Sequence, residues 1–250
     1  MARTLFNVGL FILLQGIIAP AGFAEQVRLA VASNFLKPIK AISHEFKVHS
    51  GHKVLISSGS SGRFYAQIKN GAPYDLFFSA DQEKPLKLEK EGFTVSGFNM
   101  TYATGTLVLW SAQQDYFKTD ERLKSGNFSR LAVANPKLAP YGLAAKEVLE
   151  RLELTNLVKS KQVNAENIAQ TFQFVSSGNA NLGFVARSQL MDLSEDKVGS
   201  QWIIPTDLHQ PIKQNVVLLK RAEHKKAARA FYEYIKSDST KGLIKSFGYQ

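Results

Sequence analysis

The chain has 250 residues, of which 44% are hydrophobic and 21% charged, and this composition excludes an intrinsically disordered chain, a collagen and a coiled coil. The absence of cysteine excludes disulfide scaffolds, thiolate catalysis and cysteine-ligated zinc or iron–sulfur sites. With 31 basic and 21 acidic residues the net charge is +10. Lysine and arginine form no run of five, so the charge alone does not distinguish a solvated basic surface from one that binds nucleic acid, a membrane or an anion.

The first 24 residues have the pattern of a secretory signal peptide. Arg3 precedes an apolar stretch from Leu5 to Ile18, and Gly22 and Ala24 place small residues where signal peptidase requires them. The apolar stretch, about 14 residues, is shorter than the ~20 that span a bilayer, which disfavours the alternative of a retained anchor. We therefore expect cleavage after Ala24 and export to the periplasm, which argues against a nucleic-acid partner.

Short apolar runs alternate with helical patterns along the rest of the chain. Strands are predicted at Val27–Ala32, Val54–Ser57, Leu76–Ser79, around Val108, and at Leu131–Ala134, Leu182–Val185, Trp202–Ile204 and Val216–Leu219. Helices are predicted at Leu36–Phe46, Phe64–Asn70, Gln82–Glu91, Gly142–Leu152, Ala165–Val175 and Lys225–Lys236. This alternation predicts an α/β protein with mainly parallel sheets flanked by helices.

Small and hydroxyl-bearing residues occupy four of the predicted helix N-termini, at Ala32–Asn34, Ser57–Gly62, Pro140–Gly142 and Asn164–Ile168. Unpaired N–H groups and the positive end of the helix dipole stabilise anions at such places without a charged side chain. In an open α/β sheet these junctions meet at the carboxyl ends of the strands, where ligands bind. Two plainer interpretations stay open, since a single Ser or Asn can be an ordinary N-cap and the Ser/Gly run can be a flexible turn.

Motifs of several enzyme classes are missing from the sequence. There is no GxxxxGK[ST], no GxGxxG after a strand and no GxSxG, and the five histidines form neither HExxH nor a His-x-His pair. An exported serine enzyme remains an alternative, although the four junctions contain serines but no histidine that could act as the base. We therefore expect a binding protein rather than an enzyme.

Seven stretches of the sequence occur in the order and spacing of one protein family. They are Ala30–Asn34, Ser60–Ser61, Gly71–Asp81, Arg130–Pro136, Pro140–Gly142, Leu182–Val185 and Phe247–Tyr249. On these stretches the chain from about Val27 to Tyr249 resembles the periplasmic molybdate-binding proteins of molybdate ABC transporters. The stretch GAPYDLFFSAD is the most specific of the seven.

The resemblance implies a two-lobed periplasmic binding protein. Each lobe is expected to be a mixed, mainly parallel sheet flanked by helices, with the ligand in the cleft between the lobes. Lobe 1 is expected at residues 25–103 and 214–250 and lobe 2 at 104–213, with crossings near Tyr102–Thr104 and Leu208–Lys213. The implied ligand is molybdate, and tungstate is a second candidate because it is nearly the same size. Molybdenum or tungsten is then bound only as the oxyanion, and no cofactor is needed. The implied partner is the permease of an ABC transporter, and the protein itself is expected to be a monomer.

The resemblance also assigns the site, position by position. Ser33 and Ser61 match the two hydroxyl ligands of the family, and Tyr141 and Ile168 match positions that donate a backbone N–H. With their neighbours, the expected oxyanion ligands are Ser33, Asn34, Ser60, Ser61, Tyr141 and Ile168.

One position departs from the family pattern. Many members have a tyrosine after the Leu-Gly-x-Val stretch whose hydroxyl reaches the anion, but Ala186 stands there in this sequence. Other members resemble this chain in carrying a tyrosine between Pro and Gly. The Tyr141 hydroxyl is therefore a candidate donor from the opposite side of the pocket.

The residue types in the four junctions suit a tetrahedral dianion that is fully deprotonated, because such an anion needs hydrogen-bond donors only. Phosphate keeps a proton near neutral pH and is better served by an acceptor, yet Glu166 is the one carboxylate in these junctions. Sulfate would have to be excluded by cavity size, because a cage spaced for a larger anion leaves some donors unpaired. Sulfate, thiosulfate or a small organic acid remain alternative ligands.

Overall fold

The computed structural model describes residues 24–250. The predicted signal peptide, residues 1–24, lies outside this range except for its last residue. Two five-stranded sheets, each flanked by helices, form two lobes. The expectation of a two-lobed α/β protein is therefore confirmed.

Lobe 1 contains segments from both ends of the described chain. Its strands are β1 (Gln26–Ala32), β2 (Lys53–Gly59), β3 (Leu76–Phe78), β4 (Thr94–Gly105) and β10 (Ile212–Leu219). Its helices are α1 (Leu36–Ser50), α2 (Ser61–Lys69), α3 (Glu83–Lys90), α9 (Lys226–Ile235) and α10 (Asp238–Ser246). The strand order across the sheet is β2-β1-β3-β10-β4.

Lobe 2 is formed by the middle of the chain. Its strands are β5 (Leu107–Ser111), β6 (Leu131–Ala134), β7 (Gln162–Ala165), β8 (Leu182–Ala186) and β9 (Ser200–Ile203). Its helices are α4 (Glu121–Ser125), α5 (Pro140–Arg151), α6 (Thr155–Val158), α7 (Ile168–Ser176) and α8 (Arg187–Leu190). The strand order is β7-β6-β8-β5-β9.

The two sheets share one pattern of strand directions. In lobe 1, β1 pairs in parallel with β2 and β3, whereas β10 is antiparallel to β3 and β4. In lobe 2, β6 pairs in parallel with β7 and β8, whereas β5 is antiparallel to β8 and β9. Four of the five strands in each sheet therefore run in the same direction, as expected for a mixed, mainly parallel sheet. The chain passes between the sheets at Thr106 and again between β9 and β10.

Hydrophobic spacing accounts for the packing of lobe 1. From Leu29 to Ala32, strand β1 is buried on both faces, as is typical of a strand covered by helices on each side. Helix α1 turns Ile39, Ile42 and Phe46 towards the core, at the spacing of one helical face. The helix ends at Gly51, whose φ of 72° lies in the left-handed region that glycine adopts without strain, and whose N–H donates to the Lys47 carbonyl.

Lobe 2 is packed in the same way on the two faces of its sheet. On one face, Leu109 and Val133 pack in a cluster with residues of α5 such as Val148. On the other face Trp110 stacks on Phe172, with ring centroids 4.9 Å apart and an interplanar angle of 6°. Both lobes therefore have a hydrophobic core of their own.

Two strands and four helices of the described residues are absent from the sequence prediction. Strand β4 mixes exposed, half-buried and buried residues and shows irregular register against β10, so it lacks a regular period-two pattern. Strand β7 has the half-polar sequence QVNA, and the helix predicted from Ala165 begins at Ile168. The missing helices α4, α6 and α8 span only four or five residues each, and the longer α10 has a largely polar sequence.

The lobes touch across the cleft between them. The Gly62 N–H at the start of α2 donates to the Leu138 carbonyl in lobe 2 at 2.9 Å. Arg63 of α2 forms an ion pair with Glu166 of lobe 2, with 3.0 Å between nitrogen and oxygen. The structure is therefore the closed arrangement of the two lobes.

Candidate functional site

Four strand-to-helix junctions meet where the two lobes face each other. In lobe 1, Ser33 follows β1 directly and Ser61 is the first residue of α2, just after β2. In lobe 2, Tyr141 lies in the first turn of α5, which follows β6, and Ile168 is the first residue of α7, which follows β7. All four residues are buried. The four junctions singled out in the sequence therefore meet at the carboxyl ends of parallel strands, where ligands bind in open α/β sheets.

The first junction of lobe 1 forms a short 3-10 turn over Ser33–Phe35. The Ser33 hydroxyl lies 3.3 Å from the Asn167 side-chain oxygen and 3.4 Å from the Ala169 nitrogen, both in lobe 2. It is the donor in the first contact and the acceptor in the second. Ser33 therefore already links the two walls of the cleft.

The second junction of lobe 1 contains Ser60 and Ser61. Ser60 is the N-cap of α2, and its hydroxyl accepts a hydrogen bond from the Arg63 N–H at 3.4 Å. The Ser61 hydroxyl accepts one from the Ala80 N–H at 2.9 Å. Because the Ala80 N–H occupies a lone pair of this oxygen, the Ser61 O–H stays free to donate to a ligand.

The lobe 2 junctions present main chain rather than polar side chains. Pro140 is the first residue of α5, which fits its fixed φ and its missing N–H. Asn167 is the N-cap of α7, and its side chain accepts hydrogen bonds from the N–H groups of Ala169 and Gln170. The N–H groups of Tyr141 and Ile168 belong to the helix turns that have no acceptor within the helix.

Four backbone donors at the cleft have no protein partner among residues 24–250. They are the N–H groups of Asn34, Ser61, Tyr141 and Ile168. A buried N–H without a partner is rare in native proteins, since it loses its hydrogen bond to water. Four of them at one place, at helix N-termini, indicate a site that accepts an anion.

A small cavity lies between these junctions. All six residues expected to bind the oxyanion line it, together with Ala32, Gly59, Ala80, Ala139, Pro140 and Asn167. Within the described part of the chain, no charged side chain and no histidine line this cavity. Its walls can therefore donate hydrogen bonds to an anion, but they contain no carboxylate to accept a proton from one and no base for a serine nucleophile.

The polar groups of the Asn34 and Tyr141 side chains are engaged in a buried network beside the cavity. The Tyr141 hydroxyl lies 3.3 Å from the Gln214 side-chain nitrogen, and the Asn34 amide donates to the Gln214 side-chain oxygen and to the Tyr249 hydroxyl. Burial raises the pKa of the Tyr141 and Tyr249 hydroxyls well above that of an exposed tyrosine. Both hydroxyls are therefore protonated at neutral pH and hydrogen-bonded inside the protein.

The position of the missing tyrosine, Ala186, is fully buried at the end of β8. Its N–H donates to the Gln189 side chain at 2.9 Å, and it does not line the cavity. The Tyr141 hydroxyl, the candidate replacement, accepts a hydrogen bond from the Gln214 side chain and lies against Gly105, and neither Gln214 nor Gly105 lines the cavity. The geometry therefore favours the main-chain N–H of Tyr141, rather than its hydroxyl, as the group that faces the cavity.

Comparison with known proteins identifies the family. The chain matches the family model for bacterial extracellular solute-binding proteins over residues 27–250. A molybdate-binding protein ModA from Azotobacter vinelandii is 48% identical over 94% of this chain and 93% of its own length. The chain belongs to the bacterial extracellular solute-binding proteins and is of the ModA type.

Two further relatives agree with this family assignment. The ModA protein of Rhodobacter capsulatus is 40% identical to this binding protein over 95% of this chain and 92% of its own length. The solved structure of the Azotobacter vinelandii periplasmic molybdate-binding protein matches with a TM-score of 0.86 at 39% identity, covering 90% of this chain and 98% of that one. The expectations of a solute-binding protein and of no enzymatic activity are thereby confirmed.

The sequence did not single out several residues that support the site of this binding protein. Asn167 contacts Ser33 and caps α7, and Ala80 donates its N–H to Ser61. An Asn directly before a helix start is an N-cap signal, and a prediction that began the helix at Ile168 instead of Ala165 would have indicated Asn167. Gln214 and Tyr249 are 180 and 215 residues away from Asn34 in sequence, and no local pattern connects them.

Between residues 24 and 250, no group of three or more His, Asp or Glu side chains is arranged to hold a metal ion. No helix of that range is both long enough and apolar enough to cross a membrane.

Proposed function

We propose that this protein captures molybdate in the cavity between its lobes and delivers it to the permease of an ABC transporter. One observation carries the proposal: the cavity is lined by buried hydroxyls and unpaired N–H groups from both lobes, with no charged side chain among its described lining residues. Hydrogen bonds to a charged group contribute about 1.5–3 kcal/mol each, so several such donors can hold a dianion without lysine or arginine. The names of the ModA relatives support molybdate as that dianion.

We assign six residues to the ligand. Ser61 donates its free O–H, and Ser33 donates its O–H to the anion in place of the Asn167 side-chain oxygen. The main-chain N–H groups of Asn34, Ser61, Tyr141 and Ile168 complete the cage, and Ser60 supports it by capping α2. The residues assigned to the oxyanion site are thus Ser33, Asn34, Ser60, Ser61, Tyr141 and Ile168.

Selection among oxyanions follows from the same donors. Phosphate carries a proton near pH 7 that would face N–H and O–H donors without an acceptor. Sulfate is smaller than molybdate and would leave part of the cage unpaired, which costs affinity. Tungstate is nearly the size of molybdate, and we propose that it binds as well.

The proposal also includes the export of the protein, its oligomeric state and the limits of its lobes. We propose cleavage after Ala24, which leaves a mature periplasmic chain that begins at Glu25. In support, Glu25 is anchored in lobe 1, where its carboxylate accepts the Ala227 N–H at the start of α9 and its own N–H donates to His52. The mature protein is proposed to be a monomer, with lobe 1 at residues 25–103 and 214–250 and lobe 2 at 104–213. Those limits lie two residues inside the ends of β4 and β10 at which the chain crosses between the sheets.

Isothermal titration calorimetry of the mature protein with molybdate, tungstate, sulfate and phosphate tests the function. We expect molybdate and tungstate to bind with a Kd of about 1 µM or below, and sulfate and phosphate far more weakly. Calorimetry is preferable to tryptophan fluorescence, since Trp110 and Trp202 do not line the cavity. Equal affinity for all four anions, or no heat with molybdate, would refute the proposal.

A further inference from the structure

The two lobes meet through main chain at the edge of the cavity. Gly62, the second residue of α2, donates its N–H to the Leu138 carbonyl of lobe 2 at 2.9 Å. Gly62 follows Ser61 directly, and Leu138 lies three residues before Tyr141. This contact therefore joins the two walls that carry the proposed ligands.

The absence of a side chain at Gly62 allows this approach. A Cβ atom at Gly62 would lie 3.0 Å from the Leu138 Cα, 3.1 Å from its carbonyl oxygen and 3.2 Å from its Cδ2. Nonbonded carbon atoms prefer a separation of about 3.5–4.0 Å. A Cβ at this position would therefore require the two main chains to move apart by several tenths of an ångström.

Neither side of the contact is free to move locally. On the lobe 1 side, Ser60 caps the first turn of α2 and Phe64 of the next turn is buried in the core. On the lobe 2 side, the N–H groups of Leu138 and Ala139 both donate to the Asn135 carbonyl, at 3.1 and 2.8 Å. The Asn135 N–H in turn donates to the Ala165 carbonyl at 2.7 Å. Separation of the lobes is therefore the remaining way to relieve a clash.

We infer that Gly62 determines how far the lobes close. In this inference, which rests on the proposed function, the Gly62–Leu138 contact is the stop that sets the distance between the cavity walls. The donors at Ser61 and Tyr141 are rigidly attached to the two sides of that contact, so the stop also sets how well the cage fits its anion. Gly62 itself is a positioning residue, which acts through its neighbours rather than by touching the ligand.

The substitution Gly62→Ala tests this inference. The φ of Gly62 is not in the left-handed region, so alanine fits the helix and is intrinsically favoured over glycine there. We expect the ligand-free variant to melt at or slightly above the wild-type temperature. Because the lobes no longer close fully, the dissociation rate constant for molybdate should rise about tenfold or more, with a smaller change in the association rate constant.

Gly242→Ala is the matched control. Gly242 is an exposed residue inside α10, and no atom lies within 4 Å of the Cβ it would gain. The same chemical change there should leave molybdate release at the wild-type rate. Adding Leu138→Ala to Gly62→Ala should not restore slow release, because it removes the contact with Cδ2 but leaves those with the Leu138 Cα and carbonyl oxygen.

The possible outcomes separate this inference from the proposed function. A wild-type protein that binds molybdate tightly, together with a folded Gly62→Ala variant that releases it at the wild-type rate, would overturn the role of Gly62 alone. A wild-type protein that binds no molybdate would overturn the proposed function and this inference with it. Fast release by Gly62→Ala and slow release by Gly242→Ala would support the assignment.

Discussion

The two walls of the cavity hold their ligand-binding groups in different ways. The lobe 1 wall adds hydroxyl side chains, on Ser33 and Ser61, to its main-chain N–H groups, whereas the lobe 2 wall presents the main-chain N–H groups of Tyr141 and Ile168. On the first wall the identity of the side chain determines the chemistry. On the second wall the start of a helix supplies the donor, and the side chain serves the packing of the lobe.

Main-chain donors differ from side-chain donors in one respect that matters for an anion. They are fixed by the helix and need no rotamer to be ordered when the ligand arrives, so less conformational entropy is lost on binding. They also cannot be removed by ordinary side-chain substitutions. A substitution that removes an N–H group, compared with one that changes only the side chain at the same position, therefore tests the difference between the two walls most directly.

The largest effect is expected from Ile168→Pro. Proline is tolerated at the first position of a helix, and the preceding Asn167 has the extended backbone, φ −149° and ψ 173°, that proline favours before it. The substitution removes the N–H, and we expect molybdate affinity to fall by about 2–3 kcal/mol. Calorimetry measures this loss.

Ile168→Ala is the matched control, because it truncates the same buried side chain but keeps the N–H. It should lower thermal stability in the same way as Ile168→Pro, with a much smaller loss of affinity. If both variants bind molybdate equally well, the Ile168 N–H does not hold the anion.

Ser61→Ala and Ser33→Ala should have the next largest effect. Each removes one hydroxyl donor, and we expect a loss of about 1–3 kcal/mol in molybdate affinity for each variant. Ser61→Ala also leaves the buried Ala80 N–H without its acceptor, so it should lower the free energy of unfolding more than Ser33→Ala does. Calorimetry and thermal melts measure the two quantities, and normal binding by both variants would remove the two hydroxyls from the site.

The smallest effect on binding is expected from Tyr141→Phe. The Tyr141 hydroxyl is paired with Gln214, so molybdate affinity should change by less than about threefold, while stability falls by about 1 kcal/mol through the lost hydrogen bond. A large loss of affinity would instead make this hydroxyl the replacement for the tyrosine absent at Ala186. Calorimetry and denaturant titration of the one variant distinguish the two cases.

The same tyrosine gives a prediction for alkaline pH. Burial raises the pKa of Tyr102, Tyr141 and Tyr249 in the folded protein, whereas in the unfolded chain they titrate near pH 10. Their neutral forms therefore contribute stability that is fully present below about pH 10 and is lost as the pH rises further. Unfolding measured from pH 8 to pH 11 should show a less steep loss for Tyr141→Phe than for the wild type.

The sequence revealed the lobe 1 wall more directly than the lobe 2 wall. Serines clustered after a predicted strand are visible as hydroxyl donors, and Ser60 and Ser61 stood out for that reason. Tyr141 and Ile168 entered through the family resemblance, because a main-chain N–H leaves no mark on the residue type. Asn167 was missed, although it precedes a helix start, because the predicted helix began three residues early, at Ala165.

Regular hydrophobic patterns were enough to predict most of the helices and strands. Strand β6 was predicted with its observed bounds, because LAVA is an apolar run buried on both faces. Strand β4 was missed, since its position next to β10 is set by pairing across more than a hundred residues rather than by its own pattern. The contacts of Tyr249 with Asn34 and Ser188 are equally nonlocal, so local sequence could not predict them.

The place of β10 in the sheet has a consequence for how the chain matures. This strand comes late in the sequence but lies between β3 and β4, so the lobe 1 sheet cannot be completed until synthesis has passed Leu219. Pairings of such long sequence separation form slowly. For a chain that is proposed to leave the cytoplasm through a secretion channel, this delay extends the time in which the polypeptide is still unfolded enough to be threaded across.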